Sequence, residues 1–115
     1  LTNHVSPKAN GYLQHSTSRK AENRHLNILQ AFTFFFKYAN ISNWSQEATY
    51  NVARAFHQWE LYQWAIPLYN KVLSQSVSGV QRDLRREAAY NLAQIYIKSG
   101  NLPLARKILR DYVTI

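Results

Sequence analysis

Apolar positions along this chain fall into five helix-length blocks separated by short polar breaks. From about Ser18 to Ala39, Leu26, Leu29, Phe32 or Thr33, and Phe36 recur at spacings of three and four, which predicts an amphipathic helix. Phe34, Phe35 and Tyr38 widen that stripe, so the helix is apolar on most sides. Such a helix is either an inner helix of a larger array or a docking surface for another subunit. A second pattern runs from about Gln46 to His57 with Val52, Ala53 and Phe56 inward, and a third from about Leu61 to Ser74 with Ala65, Tyr69 and Val72 inward. A fourth spans about Asp83 to Ser99 and ends at Gly100, and a fifth, from Asn101, carries the chain to its end. The expectation is an all-α fold.

The breaks carry helix punctuation. Asn43 or Ser45 can cap the helix that starts at Gln46, and Asn43 with Gln46 three residues later resembles a capping box. Pro67 falls in the second turn of its helix, where a missing amide hydrogen and a clash with the preceding turn predict a bend. Gly100 suits a left-handed C-terminal cap, Asn101 can cap the next helix, and Pro103 sits in its first turn. Residues 1–17 contain Pro7, Gly11 and a polar run with little periodicity, which predicts an irregular tail or linker.

One segment repeats. Tyr50-Asn51-Val52-Ala53-Arg54-Ala55-Phe56 returns as Tyr90-Asn91-Leu92-Ala93-Gln94-Ile95-Tyr96. From Asn51 to Asn91, from Ala65 to Ala105 and from Val72 to Tyr112 the step is 40 residues. A fixed step of this size marks a stacked repeat array, in which each unit buries its apolar face against its neighbours. Alanines at 53 and 93 let helix axes approach closely, and the aromatic three residues on fills the space beside them. A weaker copy lies upstream, since Ala31, Phe35 and Tyr38 precede Ala65, Tyr69 and Val72 by 34 residues. The expected organisation is therefore a tail at 1–17, a helix of a degenerate preceding repeat with its linker at 18–45, a repeat with a long loop at 46–82, and a C-terminal repeat at 83–115.

Paired helices with a base period of 34, a small-residue notch and a following aromatic resemble the tetratricopeptide repeat. That resemblance implies helical hairpins in a right-handed superhelical array, here two full repeats plus a preceding helix. The loop from Ser74 to Arg82 then holds the six residues that stretch 34 to 40, and Glu60 stands where the second repeat has Gly100. A narrower resemblance rests on Asp83-Leu84-Arg85-Arg86-Glu87-Ala88-Ala89-Tyr90-Asn91-Leu92, Ile95-Tyr96, Ser99-Gly100-Asn101 and the ending Tyr112-Val113-Thr114-Ile115. Tyr50 to His57, Ala65 to Tyr69, Asn23-Arg24-His25 and Ile28 to Phe32 share it. These segments are similar to the C-terminal region of the tetratricopeptide-repeat subunits of general transcription factor IIIC, which serves RNA polymerase III. Trp59 and Trp64 depart from the leucines of that pattern. The resemblance implies a nuclear scaffold that holds other transcription factor IIIC subunits and helps recruit transcription factor IIIB, with DNA contacted indirectly.

Composition narrows the alternatives. The chain has 115 residues, no cysteine and a net charge of +8, so thiolate metal sites and cysteine nucleophiles are excluded and anionic partners are favoured. Its longest apolar run, Phe32 to Phe36, is too short for a membrane span. It begins at Leu1, which reads as a fragment or processed piece. Asn40-Ile41-Ser42 and Asn43-Trp44-Ser45 fit the glycosylation pattern and, without a secretory signal, are read as chance. His4, His15, His25 and His57 lack metal-ligand spacing, and no nucleophile–base set, paired carboxylates or glycine-rich phosphate loop appears, so neither an enzyme nor a cofactor is expected.

By resemblance, the partner-binding residues lie on the first helix of each repeat: Tyr50, Asn51, Arg54 and His57, then Tyr90, Asn91, Gln94 and Lys98. The amides of Asn51 and Asn91 can both donate to and accept from a bound peptide, or they can make hydrogen bonds inside the array. Arg82, Arg85 and Arg86 form the densest basic cluster, either a candidate anion site or a solvated face. Their place at a helix start disfavours cations by about 0.3–1 kcal/mol each. Two other readings remain: a helical module contacting DNA or RNA directly, and a generic cytoplasmic adaptor.

Overall fold

The computed structural model describes residues 9–77, 79 and 82–113, with side chains from residue 19 onward. Every regular element among them is helical: α1 (Ala9–Ile41), α2 (Gln46–Gln58), α3 (Tyr62–Leu73), α4 (Arg85–Lys98) and α5 (Leu102–Tyr112). The all-helical expectation is met, and α2 pairs with α3 while α4 pairs with α5, with α3 against α4 between them. Residues 1–8 of the expected tail and Thr114-Ile115 of the quoted ending lie outside the described residues.

The one clear departure is the start of α1. It begins at Ala9, so residues 9–17 belong to the helix and not to an irregular tail. Gly11 is the only glycine or proline between Ala9 and Ile41, and once a helix is nucleated each added residue gains a hydrogen bond. Weak apolar periodicity does not forbid such an extension.

The chain divides after Phe35 into two compact units. In the first, α1 exposes Leu26, Leu29 and Phe34, the Thr33 hydroxyl donates to the Leu29 carbonyl at 3.1 Å, and the Phe34 and Phe35 rings meet edge to face at 5.4 Å. The second unit, from Phe36 onward, holds the core. Val52, Ala53 and Phe56 of α2, Ala65, Tyr69 and Val72 of α3, Ala88, Ala89, Leu92, Ala93 and Ile95 of α4, and Ala105 and Ile108 of α5 are buried. All four repeat alanines, 53, 65, 93 and 105, are therefore interior, as close helix crossings require.

The helix ends share one device. After α1, Asn43 takes φ 54° and the Trp44 amide returns to the Ala39 carbonyl at 2.7 Å. After α2, Glu60 takes φ 61° and the Leu61 amide returns to Phe56 at 2.9 Å. After α4, Gly100 takes φ 81° and the Asn101 amide returns to Tyr96 at 2.8 Å. Each turn thus closes with the long-range amide bond of a Schellman cap. On the other side of two of these turns, the Ser45 hydroxyl caps α2 through the Ala48 amide at 3.2 Å, and the Asn101 side chain caps α5 through the Leu104 amide at 3.3 Å. Helix α3 has no side-chain cap and runs without interruption through Pro67. That proline cannot donate to the Gln63 carbonyl, and Gln63 lies on the exposed side.

Candidate protein-interaction face

The first helices of the two hairpins, α2 and α4, carry the eight residues singled out above, and the structure spends some of them internally. The Asn51 amide donates to the Tyr38 hydroxyl at 3.3 Å, and the Asn91 amide donates to the Tyr50 hydroxyl at 3.1 Å. Equivalent asparagines therefore perform equivalent jobs, each reaching back to a tyrosine of an earlier helix. The Tyr50 ring stands 6.1 Å from Tyr69, half-buried between α2 and α3.

His57 completes this cluster. Its Nδ1 lies 2.9 Å from the Tyr69 hydroxyl, and the two rings meet edge to face at 5.7 Å. Burial, followed by Tyr50, pushes the Tyr69 phenol above its ordinary range, so its proton stays on. The hydroxyl and Nδ1 share this hydrogen bond, its direction set by the imidazole tautomer. Burial, then the positive charges of Lys98 and Arg54, lowers the His57 pKa from 6.5. The result is a neutral imidazole beside two exposed cations. Arg54, Tyr90, Gln94 and Lys98 all face solvent, and Lys98 approaches Glu60 at 3.9 Å. This stretch presents positive charge and amide groups, a surface suited to acidic side chains and polypeptide backbone.

Asp83 breaks up the arginine cluster. Its carboxylate takes the Arg85 guanidinium at 2.7 and 3.0 Å and the Arg85 backbone amide at 3.0 Å, which holds its pKa at about 2. Arg82 pairs with Glu87, and Arg86 projects outward without an ion pair among the described residues. Asp83 also relieves the strain of placing cations at the start of α4. Arg82 and Arg85 are thus each held by a carboxylate.

Sequence reasoning missed Gln46. It was expected to bond locally in a capping box, yet its side chain is buried and holds three partners across the unit. Its amide nitrogen donates to the Gln75 carbonyl and to Asp83, both at 3.1 Å, and its oxygen accepts from the buried Leu84 amide at 2.9 Å. Gln75 donates in turn to the Trp44 carbonyl at 3.0 Å. The signal was present: Gln46, Thr49, Ala53 and Phe56 share one helical stripe, so a polar side chain stood in a buried register. A cavity of about 700 Å³ opens beside this clamp, lined by Trp44, Glu47, Ser76 and Arg82 among others.

Comparison with known proteins finds similar chains. The chain is 41% identical over 98 residues to general transcription factor 3C polypeptide 3 of Homo sapiens, covering 80% of this chain. It is 37% identical over 120 residues to transcription factor tau subunit sfc4 of Schizosaccharomyces pombe, covering 89% of this chain. It is 34% identical over 110 residues to the transcription factor tau 131 kDa subunit of Saccharomyces cerevisiae, covering 90%. This chain is a relative of those transcription factor subunits. It spans only 10–12% of their length. No family model matches it, and no solved structure matches it. Like the earlier resemblance, these matches point to general transcription factor IIIC, and the paired helices fit a repeat array. Among the described residues no helix is long and apolar enough to cross a membrane, and no three His, Asp or Glu side chains gather as a metal site.

Proposed function

We propose that this chain is the C-terminal tetratricopeptide-repeat part of a general transcription factor IIIC subunit and acts there as a protein-interaction scaffold. It works in the nucleus, holds other transcription factor IIIC subunits, supports assembly on RNA polymerase III promoters and helps recruit transcription factor IIIB. It carries out no catalysis and takes no cofactor. The supporting observation is similarity to three such subunits across 80–90% of the chain, joined to a hairpin pair repeated at a step of 40. Arg54, His57, Gln94 and Lys98 supply the contact chemistry, with Tyr50, Asn51 and Asn91 fixing the helix spacing and Tyr90 adding rigid area. Purified transcription factor IIIC subunits and transcription factor IIIB components, passed singly over the immobilised chain, test this. At least one should be retained, and Arg54→Glu with Lys98→Glu should release it. Retention of none would overturn the proposal.

The net charge of +8 sustains a second reading, direct nucleic-acid binding. Affinity for duplex DNA would then fall with salt, by a log–log slope of about −0.9 for each phosphate neutralised. A scaffold that meets DNA indirectly shows no saturable binding even at low salt.

A further inference from the structure

His57 is flanked by two cations from different helices. Arg54 lies one turn before it on α2, and Lys98, at the end of α4, approaches Glu60 of the following turn at 3.9 Å. The imidazole is fixed in place. Its Nδ1 shares a hydrogen bond with the Tyr69 hydroxyl at 2.9 Å, and the ring packs edge to face on Tyr62 at 5.9 Å and on Tyr69 at 5.7 Å. The other nitrogen, Nε2, has no hydrogen bond among the described residues. Arg54 is exposed and has no ion pair among them. The Lys98 and Glu60 side chains are 67% and 70% exposed, a long contact that a better-placed carboxylate can replace. The titratable and charged groups around the imidazole are therefore Arg54 of α2, Tyr62 and Tyr69 of α3 with Tyr50 behind them, Lys98 of α4, and Glu60 of the turn. Burial, then the charges of Lys98 and Arg54, opposes protonation of His57. Forty residues on, Ile97 takes the equivalent place, so the second hairpin has no such group there.

A carboxylate set between Arg54 and Lys98 reverses that balance. It offsets both cations and offers Nε2 an acceptor, so the imidazolium becomes the favoured form. Nε2–H then donates to the carboxylate, and Nδ1–H donates to the Tyr69 oxygen, which keeps its own proton. The added proton comes from solvent. We propose that Arg54, His57 and Lys98 form a subsite for a carboxylate side chain of an acidic polypeptide segment, and that His57 takes up a proton when that carboxylate docks. This rests on the scaffold reading above and gives the scaffold's partner a chemistry. Two observations favour an acidic polypeptide over nucleic acid. Lys98 already faces a carboxylate, and the cations are not continued, since Gln58 and Glu60 follow His57 and Gln94 precedes Lys98 by one turn. A phosphate backbone is held by a succession of cations.

The probe is a short fluorescent peptide of alternating glutamate and serine, titrated against the full 115-residue chain and followed by anisotropy. Saturable binding is expected, tightening about three- to ten-fold from about pH 8 to about pH 6, as a gain in proton affinity at His57 requires. The peptide's own carboxylates titrate near about pH 4.3 and stay ionised throughout. Calorimetry in two buffers of different ionisation heat should read the proton uptake. Arg54→Gln and Lys98→Gln should each weaken binding by more than about three-fold, and Arg106→Gln, which removes an exposed cation of α5, should change it little. His57→Gln should keep the binding seen at the higher pH and lose the pH dependence. NMR titration of the His57 ring in the unsubstituted chain reads the same coupling without a variant, and its pKa should rise when peptide is bound. Absence of saturable binding, equal effects of the Arg54, Lys98 and Arg106 changes, or a His57 ring that titrates alike with and without peptide would overturn the proposal. So would tighter binding of a DNA duplex that Arg54→Gln and Lys98→Gln selectively weaken, which would give the subsite to nucleic acid. A transcription factor subunit retained equally at both pH values would overturn the proposal and leave the scaffold standing. Peptide binding with proton uptake, beside retention of no subunit, would sink the scaffold and leave the subsite.

Discussion

Glu60 and Gly100 occupy the same place in the two hairpins and the same backbone region, at φ 61° and φ 81°. Only one of them is suited to it. A side chain with a Cβ in the left-handed region costs roughly 1–2 kcal/mol, and glycine escapes that penalty. Glu60→Gly removes the penalty but makes the unfolded chain more flexible, which returns about 0.4–1 kcal/mol. It also removes the approach to Lys98, a 3.9 Å pair between exposed side chains. Such a pair is worth a few tenths of a kcal/mol at most, roughly 0.3. The net expectation is a gain of about 0.5 kcal/mol from these terms together. Gly100→Ala is the mirror experiment. A Cβ built at Gly100 finds no atom within 4 Å, so the substitution meets no steric obstacle and its whole effect is conformational. It should destabilise by about 0.5–1 kcal/mol. For a chain of this size, these changes correspond to a Tm rise of about 2–3 °C and a fall of about 2–6 °C. Thermal and urea unfolding followed at 222 nm reads both. Glu60→Gln, compared at low and high salt, isolates the Lys98 contribution. A fall in stability for Glu60→Gly, or an unchanged midpoint for Gly100→Ala, would refute the argument that backbone conformation governs these two turns.

Two further outcomes follow from buried polar groups. Gln46→Leu strands the Leu84 amide and the Gln75 carbonyl, and each group left unpaired costs about 1–3 kcal/mol, so the urea midpoint should drop and hydrogen exchange at Leu84 should quicken. An unchanged exchange rate at Leu84 would show that Gln46 is dispensable there. The lowered His57 pKa gives a pH dependence with a definite sign: the unfolded chain, at 6.5, takes up a proton before the folded one does. Stability should be full above about pH 6.5 and decline as pH falls below it, and His57→Gln should flatten that slope between pH 7 and 5.5. A parallel decline in both proteins would assign the effect to other groups.

Much of the fold was legible because its signals are local. Alanines 53, 65, 93 and 105 at a constant step mark helix crossings, and Ser45, Gly100 and Asn101 mark ends by chemistry that needs no tertiary partner. The face on α2 and α4 was legible only in outline. Whether Asn51 and Asn91 turned inward depended on Tyr38 and Tyr50 standing opposite them, a pairing set by how helices stack. Gln46 was misjudged for the same reason, since its partners lie 29 to 38 residues away. The start of α1 was misplaced because helix extension depends on backbone hydrogen bonding as well as apolar spacing.

The Gln46 clamp has a consequence for limited proteolysis. One side chain grips the chain just before the long connection, at Gln75, and again just after it, at Asp83 and Leu84. A protease cut between those grips would leave both stumps anchored to α2. The nicked chain should therefore run as two fragments on a denaturing gel yet migrate as one species under native conditions.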